Sequence, residues 1–208
     1  MNPADPHDPD TQALEHALAV FTANLEGQLR FDEHFIHLKY VFDPRDGRLI
    51  ASVPVAVLHA ADLVLDIPEE NDDALQLLVT AEEAPESIAT DRWLAYHGHP
   101  EHVRWAAFWI DSARHGPWVF DGDALTFPNL LAADEPVLCK KLNADPARLA
   151  ALCQRFAGVP IPKPVCVGVD PRGLHVRASF GVVRVRFDSP ATTATAAIQS
   201  IDAMLTTI

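Results

Sequence analysis

Basic residues are scarce in this sequence of 208 residues. Lysine and arginine total 16 against 29 aspartates and glutamates, which gives a formal net charge of -13. A surface with this much negative charge repels a phosphate backbone unless its few basic residues are strongly segregated. The composition therefore argues against a nucleic acid as a partner.

Long apolar runs are also missing. The stretch 49–61 is interrupted by Ser52, Pro54 and His59, and it is shorter than the roughly 20 apolar residues that a membrane helix needs. Residues 1–10 contain no positive region followed by an apolar run, which a secretory signal would show. We expect no membrane span, and we expect residues 1–10 to form a disordered tail.

Cysteine is rare as well. Cys139, Cys153 and Cys166 are odd in number, widely spaced and set among apolar residues, which argues against a disulfide framework or a cysteine metal site. Cytoplasm is the expected compartment. The sequence also has no nucleophile elbow, phosphate-binding glycine loop, zinc-protease helix or dinucleotide fingerprint, so no motif indicates a particular reaction.

Hydrophobic periodicity predicts a chain of the α+β class. Apolar residues at three- and four-residue intervals predict an amphipathic helix over 11–29, and a short helix is expected around 91–96. Segments rich in Val, Ile and aromatic residues predict antiparallel strands at 35–42, 49–58, 63–67, 74–80, 103–110, 118–120 and 124–127. The first part of the chain is therefore predicted to be an antiparallel sheet with helices at its edges.

A change of composition near 128–136 predicts a second, smaller unit. It begins with one helix over 137–157, and Ser189 or Asp188 is the expected cap of a last helix. Three strands are predicted between these helices, at 164–169, 174–179 and 182–187. We assign 11–130 to a first domain and 131–208 to a small α-β-β-β-α module.

That module resembles a known family. The segment 167–177 and the strand at 183–187 are similar to the small C-terminal domain of heme-iron-utilization proteins, in the pyridoxamine 5'-phosphate oxidase-like, flavin-binding split-barrel superfamily. Looser likenesses lie at 52–54, 92–96, 99–100, 107–111 and 142–145. The resemblance implies an antiparallel split β-barrel over 11–130, followed by the α-β-β-β-α module, in a divergent member of the family.

Several residues depart from the family pattern. Lys141 and Pro146 stand where the signature helix of relatives carries its two histidines, and no histidine-bearing tail follows the last helix. Relatives hold the flavin phosphate with a cluster of Ser, His, Thr and Asn after their third strand. This chain instead has the segment 66–73 with five carboxylates, which would repel a phosphate.

The resemblance implies that flavin mononucleotide (FMN) or heme is the cofactor. A flavin phosphate needs converging cationic or hydroxyl donors, and the candidates in the first domain are Lys39, Arg48, Ser52 and Arg92. The alternative interpretation is that these are solvated strand and helix side chains, in which case the chain binds neither cofactor.

Histidines are densest between 97 and 102. His97, His99 and His102 are candidate ligands of zinc or of a porphyrin iron, and a metal-dependent hydrolase is a third functional hypothesis. Their spacing matches no standard metal motif, and Gly98 and Pro100 between them are typical of a surface turn.

Aromatic and basic side chains form two further groups. Trp93, Trp105, Trp109 and Trp118 are predicted to lie in the core or at a homodimer interface, because split-barrel relatives are dimers. The basic group contains Arg172, Arg177, Arg184 and Arg186, together with His175. It would meet an acidic partner or pair with the chain's own carboxylates.

Two functional hypotheses lead. The first is a divergent split-barrel protein of the heme-iron-utilization type that binds flavin or heme, which as an enzyme would be a flavin-dependent oxidoreductase. The second is a non-catalytic binding or interaction module that has lost the cofactor site. The acidic segment 66–73 and the missing histidines favour the second, and the sequence assigns no catalytic residue.

Overall fold

The computed structural model describes residues 8–102 and 104–206, which divide into two compact units. The first comprises Met1–Leu94 and Gly98–Phe127, and the second comprises Ala95–His97 and Pro128–Ile208. Residues 1–7 of the predicted tail lie outside the described part, and Pro9 and Asp10 already belong to a helix. No helix among the described residues is both long and apolar enough to cross a membrane.

The first unit is built on a sheet of seven strands. Its helices are α1 (Pro9–Ala23) and α2 (Ile88–His97). The last three residues of α2, Ala95–His97, are assigned to the second unit. Its strands are β1 (Glu26–Phe31), β2 (His34–Phe42), β3 (Leu49–Val53), β4 (Leu63–Ile67), β5 (Leu75–Ala84), β6 (Arg104–His115) and β7 (Trp118–Asp121). Short 3-10 turns occupy Val55–His59 and Gly122–Ala124.

Six of these strands close into an antiparallel barrel. Their order is β3-β2-β1-β4-β5-β6, and β6 pairs back onto β3, while β7 extends the sheet from β6. The interior is apolar and aromatic, with Phe21, Tyr40 and Phe108 fully buried. The Tyr40 hydroxyl donates to the Asn24 carbonyl at 2.8 Å, and burial raises the pKa of Tyr40 well above its usual range. The predicted α+β class and antiparallel barrel are confirmed.

The second unit contains a three-stranded antiparallel sheet with helices. Its helices are α3 (Glu135–Asn143), α4 (Pro146–Leu152) and α5 (Ala194–Thr206), with a π-helical turn at Cys153–Ala157. Its strands are β8 (Val165–Asp170), β9 (Gly173–Ala178) and β10 (Gly181–Arg186), in the order β10-β9-β8. A separate apolar core, which includes Leu138, Leu149, Val176 and Ile201, holds them together.

The strand β8 lies at one edge of this sheet, and side chains bind its outward backbone groups. Asn143 accepts from the Cys166 amide at 2.8 Å and donates to the Cys166 carbonyl at 2.9 Å. A Glu135 carboxylate oxygen accepts from the Val169 amide at 2.8 Å, and Asn129 donates to the Val169 carbonyl at 2.9 Å. Because Glu135 and Asn143 both belong to α3, these β8 edge contacts fix the helix along the strand.

Three predicted elements of the first unit differ from the structure. The strand predicted at 49–58 ends at Val53, and Pro54 leads into a 3-10 turn over Val55–His59. The opening helix was predicted to reach residue 29 but ends at Ala23. Leu25 immediately precedes β1, and Leu29 lies within that strand. A spacing of four residues fits one face of a strand as well as one face of a helix, so periodicity alone could not separate them. The predicted strand at 124–127 is absent from the structure, because Asp121 accepts from the Asp123 amide and begins a 3-10 turn.

Two helix boundaries in the second unit also differ from the predictions. The helix expected over 137–157 is broken before Pro146, which has no amide hydrogen to continue it, and Asp145 caps α4 by accepting from the Arg148 amide. The last helix begins at Ala194 rather than after Ser189. The Thr193 hydroxyl accepts from the Ala196 amide and caps it.

We predict that Asn143→Ala destabilises the protein by about 2 to 3 kcal/mol, because two backbone groups of Cys166 lose their partners. Urea denaturation followed by circular dichroism measures the change. Lys140→Ala, at an exposed position of the same helix, is the matched control and should lie within about 0.5 kcal/mol of the wild type. Equal effects of the two substitutions would contradict a stabilising role of the β8 edge contacts.

Candidate functional site

The side chains predicted to hold a flavin phosphate lie on three elements of the barrel unit. Lys39 is in β2, Arg48 and Ser52 are just before and within β3, and Arg92 is in α2. Ser52 is buried, and its hydroxyl donates to the His102 carbonyl at 2.9 Å and accepts from the His102 amide at 3.2 Å. Ser52 therefore fixes the loop that leads into β6.

Arg48 also interacts within the barrel unit. Its Nε lies 2.9 Å from a carboxylate oxygen of Asp46, and its guanidinium carbon lies 4.7 Å from the centre of the Trp109 ring. On β2, the Lys39 carbonyl accepts from the Trp93 indole at 2.8 Å. Ser52 and Arg48 thus have partners inside the fold, and a phosphate site formed by the four residues stays a prediction.

The predicted metal ligands surround the end of α2. His97 is the last residue of the helix, and His99 and His102 lie in the following loop. Over residues 8–102 and 104–206, no group of three or more His, Cys, Asp or Glu side chains is arranged to hold a metal ion. The metal site and the hydrolase hypothesis that depends on it have no geometric support in this part of the chain.

The four tryptophans divide between core and surface. Trp93 is buried and packs edge-on against Trp105, with ring centres 5.4 Å apart. Trp109 and Trp118 remain 44% and 36% exposed. The two exposed rings are the part of this group that a second subunit could cover, and the homodimer stays a prediction.

A groove of about 830 Å³ lies in the barrel unit. Three elements form it: one face of α1, the loop between β4 and β5, and the hairpin between β6 and β7. Its volume is within the range of about 300 to 1,000 Å³ that is typical of small-molecule sites. The described residues that line it are Pro9, Gln12, Ala13, His16, Val20, Asn24, Ile67, Pro68, Asn71, Asp73, His115, Gly116, Pro117 and Trp118, and none of these is Lys or Arg.

Two stacked imidazoles occupy this groove. The rings of His16 and His115 have centres 5.0 Å apart and planes inclined by 19°. Burial, and then the neighbouring His16, lower the pKa of His115, while contacts with Asp73 raise it by a smaller amount. His115 therefore keeps a neutral ring with a free nitrogen lone pair to a lower pH than an isolated histidine, which is the form that binds metals.

Sequence reasoning did not find the histidine pair. His16 follows Gln12 by four residues on one face of α1, and Asn24 stands at the end of that helix. These polar side chains at four-residue spacings were the available signal. His115 lies 13 residues beyond His102, outside the histidine group that the sequence singles out. His16 and His115 are far apart in sequence, and only the barrel brings them together.

Comparison with known proteins shows the fold. The structure is similar to that of the protein Atu2129, of unknown function, from Agrobacterium tumefaciens str. C58, with a TM-score of 0.74 and 16% identity over 98% of this chain and 100% of that chain. A heme binding protein from Mycobacterium smegmatis aligns with a TM-score of 0.44 and 17% identity over 100% of this chain and 98% of that chain, a similarity too weak to support an argument. No family model and no curated protein matches the chain.

The second unit contains a buried cluster of polar residues on its sheet. Arg184 forms two hydrogen bonds with the Asp170 carboxylate, one of them 2.6 Å long, and its Nη1 lies 2.9 Å from Nε2 of His175. The other ring nitrogen of His175 lies 3.3 Å from the Tyr96 hydroxyl. The side chains of His175 and Arg184 are only 2% and 3% exposed, so this cluster stabilises the sheet rather than meeting a ligand.

The charge of Asp170 depends on Arg184. Burial by itself raises the pKa of this carboxyl, but the charge and hydrogen bonds of Arg184, with smaller contributions from His175 and the Arg172 amide, lower it to about 2. Arg184, one of the basic residues for which pairing with the chain's own carboxylates was predicted, thus pairs with Asp170. The contribution of Asp170 to stability is present above pH 3.8 and is lost as the pH falls towards 2.

We predict that Arg184→Leu destabilises the protein by about 3 to 5 kcal/mol at pH 7, because it leaves the Asp170 carboxylate buried without its partner. The difference from the wild type should shrink as the pH is lowered from 3.8 towards 2, because the wild type loses the contribution of Asp170 over that interval. Denaturation curves at several pH values measure this. Arg148→Leu, at an exposed helical position, is the control, and a pH-independent difference would contradict the assignment.

We also predict that His115 titrates below 6.5 and that His16→Gln raises the pKa of His115 towards that value, because a like charge is removed. Burial remains in the variant, so the pKa should not exceed the ordinary value. Nuclear magnetic resonance titration of the imidazole protons measures both values. His99→Gln should leave the His115 pKa unchanged, and a fall of the pKa in His16→Gln would refute the stacked pair.

Proposed function

We propose that the barrel unit binds a heme-like iron porphyrin in the groove lined by His16 and His115. The observation that carries this proposal is the stacked imidazole pair in a groove of about 830 Å³, with the exposed Trp118 ring beside it. Imidazole is the commonest protein ligand of heme iron, and aromatic rings pack against the porphyrin plane. The likeness of the second unit to heme-iron-utilization proteins agrees with this ligand.

Of the two cofactors that the resemblance implies, FMN fits this groove less well if its phosphate is inside it, whereas the two propionates of a heme can stay in solvent at the open side of the groove. A flavin phosphate carries charge that Lys, Arg or hydroxyl donors must neutralise, and none of the described lining residues is Lys or Arg. Asp73 adds a carboxylate at the same wall. The iron of a porphyrin instead requires a neutral nitrogen donor, which His115 supplies because its pKa is lowered.

The chain's own residues would have distinct parts in holding the porphyrin. His115 is placed at the end of β6 and is the better iron ligand, since the contact with Asp73 orients its ring. His16 lies on α1, so the register of that helix against the barrel sets the distance between the two rings. A bound porphyrin would supply a Lewis-acidic, one-electron redox centre, and binding alone is what we propose.

We predict that hemin binds the purified chain with a shifted Soret band and that His115→Ala weakens binding by about tenfold or more, because the iron loses its neutral ligand. Absorption titration measures the affinity. His99→Ala, which removes an exposed histidine outside the groove, is the matched control and should leave the affinity unchanged.

The same titration has two outcomes that would contradict the proposal. A larger loss in His99→Ala than in His115→Ala would move the ligand to the cluster at 97–102. Quenching of FMN fluorescence by the chain, with no change in the hemin spectrum, would favour the flavin hypothesis.

A second candidate is an interaction module without a cofactor. Two observations support it. Arg48 pairs with Asp46 and Ser52 binds the His102 backbone, so neither is left for a cofactor phosphate, and the Trp109 ring is exposed on the outer face of the barrel. In this hypothesis Trp109 packs against a second copy of the chain, in line with the dimers of split-barrel proteins. A chain that binds neither hemin nor FMN but scatters light as a dimer at micromolar concentration would support it, and a dimer that persists in Trp109→Ser would not.

A further inference from the structure

Two of the three cysteines lie side by side in the second unit. The Sγ atoms of Cys139 in α3 and Cys166 in β8 are 3.7 Å apart, and both residues carry free thiols. Cys139 is half-buried at the surface of the module core, whereas Cys166 is buried. A solvent-reachable thiol beside a buried one is the arrangement in which the first can be oxidised and the second can react with it.

The backbone around this pair is held on both sides. Asn143 follows Cys139 by one helical turn and binds the amide and carbonyl of Cys166. Glu135 precedes Cys139 by one turn and binds the Val169 amide. These contacts fix α3 along β8 and hold the two sulfur atoms 3.7 Å apart, and a disulfide requires them to approach to the S–S bond length of about 2.0 Å.

The irregularity of β8 contributes to this placement. The pairing register between β8 and β9 shifts between Cys166 and Gly168, so one extra residue bulges from the strand there. The Cys166 thiol lies 3.6 Å from the Gly168 carbonyl as well as 3.7 Å from the Cys139 sulfur. The hydrogen bond to Cys139 and burial raise the pKa of Cys166, so Cys166 keeps its proton and donates it towards Cys139.

We propose that Cys139 and Cys166 form a peroxide-responsive oxidation site that closes an intramolecular disulfide between α3 and β8. The Cys139 thiolate attacks a hydroperoxide, the O–O bond breaks, and Cys139 becomes a sulfenic acid while the peroxide is reduced. The Cys166 sulfur then attacks the Cys139 sulfur, the S–O bond breaks, and hydroxide leaves with the Cys166 proton as water. Two electrons pass from the two thiols to the peroxide.

Cys153 provides an internal control. It is buried in the turn that follows α4, and burial raises its pKa to about 11, which keeps it as an unreactive thiol. Oxidation at this site should therefore spare one of the three cysteines. A random oxidation of exposed thiols would not select Cys139 and Cys166 together.

The test is treatment of the folded chain with hydrogen peroxide, followed by alkylation, thiol counting after denaturation and peptide mapping. The expected result is a fall from three free thiols to one, a linked peptide pair that contains Cys139 and Cys166, and reversal by dithiothreitol. Three remaining thiols, under conditions that oxidise the unfolded chain, would overturn the proposal. A link through Cys153 or between two chains would also overturn it.

Variants separate the two steps. Cys166→Ser should let Cys139 accumulate as a sulfenic acid that dimedone traps, and Cys139→Ser should leave Cys166 reduced. Cys153→Ser should still form the disulfide. Equal dimedone labelling of Cys166→Ser and Cys139→Ser would contradict the order of oxidation. If a variant fails to fold, peptide mapping of the oxidised wild type still shows whether Cys139 and Cys166 are the linked pair.

Discussion

The twelve-residue strand β6 is the element on which the barrel unit depends. It pairs along its length with β5, through its first five residues with β3, and through its last four with β7. The pairing with β3 closes the barrel and removes two free strand edges. The same strand ends at His115, so the register that closes the barrel also sets the position of one histidine in the groove. Trp109, midway along β6, packs under the Arg48 guanidinium on the outer face.

Local sequence patterns predicted the class and most strand positions because alternation and turn residues act over a few residues. The strands predicted at 63–67 and 164–169 are examples, since β4 and β8 form at those positions. Errors occurred where one pattern fits two structures, as at Leu29, or where a single proline decides a boundary, as at Pro146. The cap of the last helix was misplaced for a related reason, since Ser189 and Thr193 have similar capping capacity. The Ala191 amide donates a hydrogen bond to the Pro171 carbonyl, so the chain after Ser189 is bound to the turn between β8 and β9 and the helix begins later.

The candidate sites were far less predictable than the fold. The His16 and His115 pair joins the first helix to the sixth strand, and the Cys139 and Cys166 pair joins a helix to a bulged strand. Neither pair has a fixed sequence spacing, because each depends on long-range strand register. The residues that a family likeness pointed to, Arg48 and Ser52, prove to have partners inside the barrel unit. The strong similarity to Atu2129 extends over nearly the whole chain and concerns the fold, which by itself does not determine chemistry.

The β8 edge contacts bear on how this chain behaves in a crowded solution. An exposed strand edge is a template on which another polypeptide can add a strand, and such additions begin many aggregates. At Cys166 and Val169 the outward amides and carbonyls are already bound by Asn143, Glu135 and Asn129. A foreign strand that paired with both Cys166 and Val169 would have to displace all three side chains, so this edge of the small sheet is protected against edge-to-edge association.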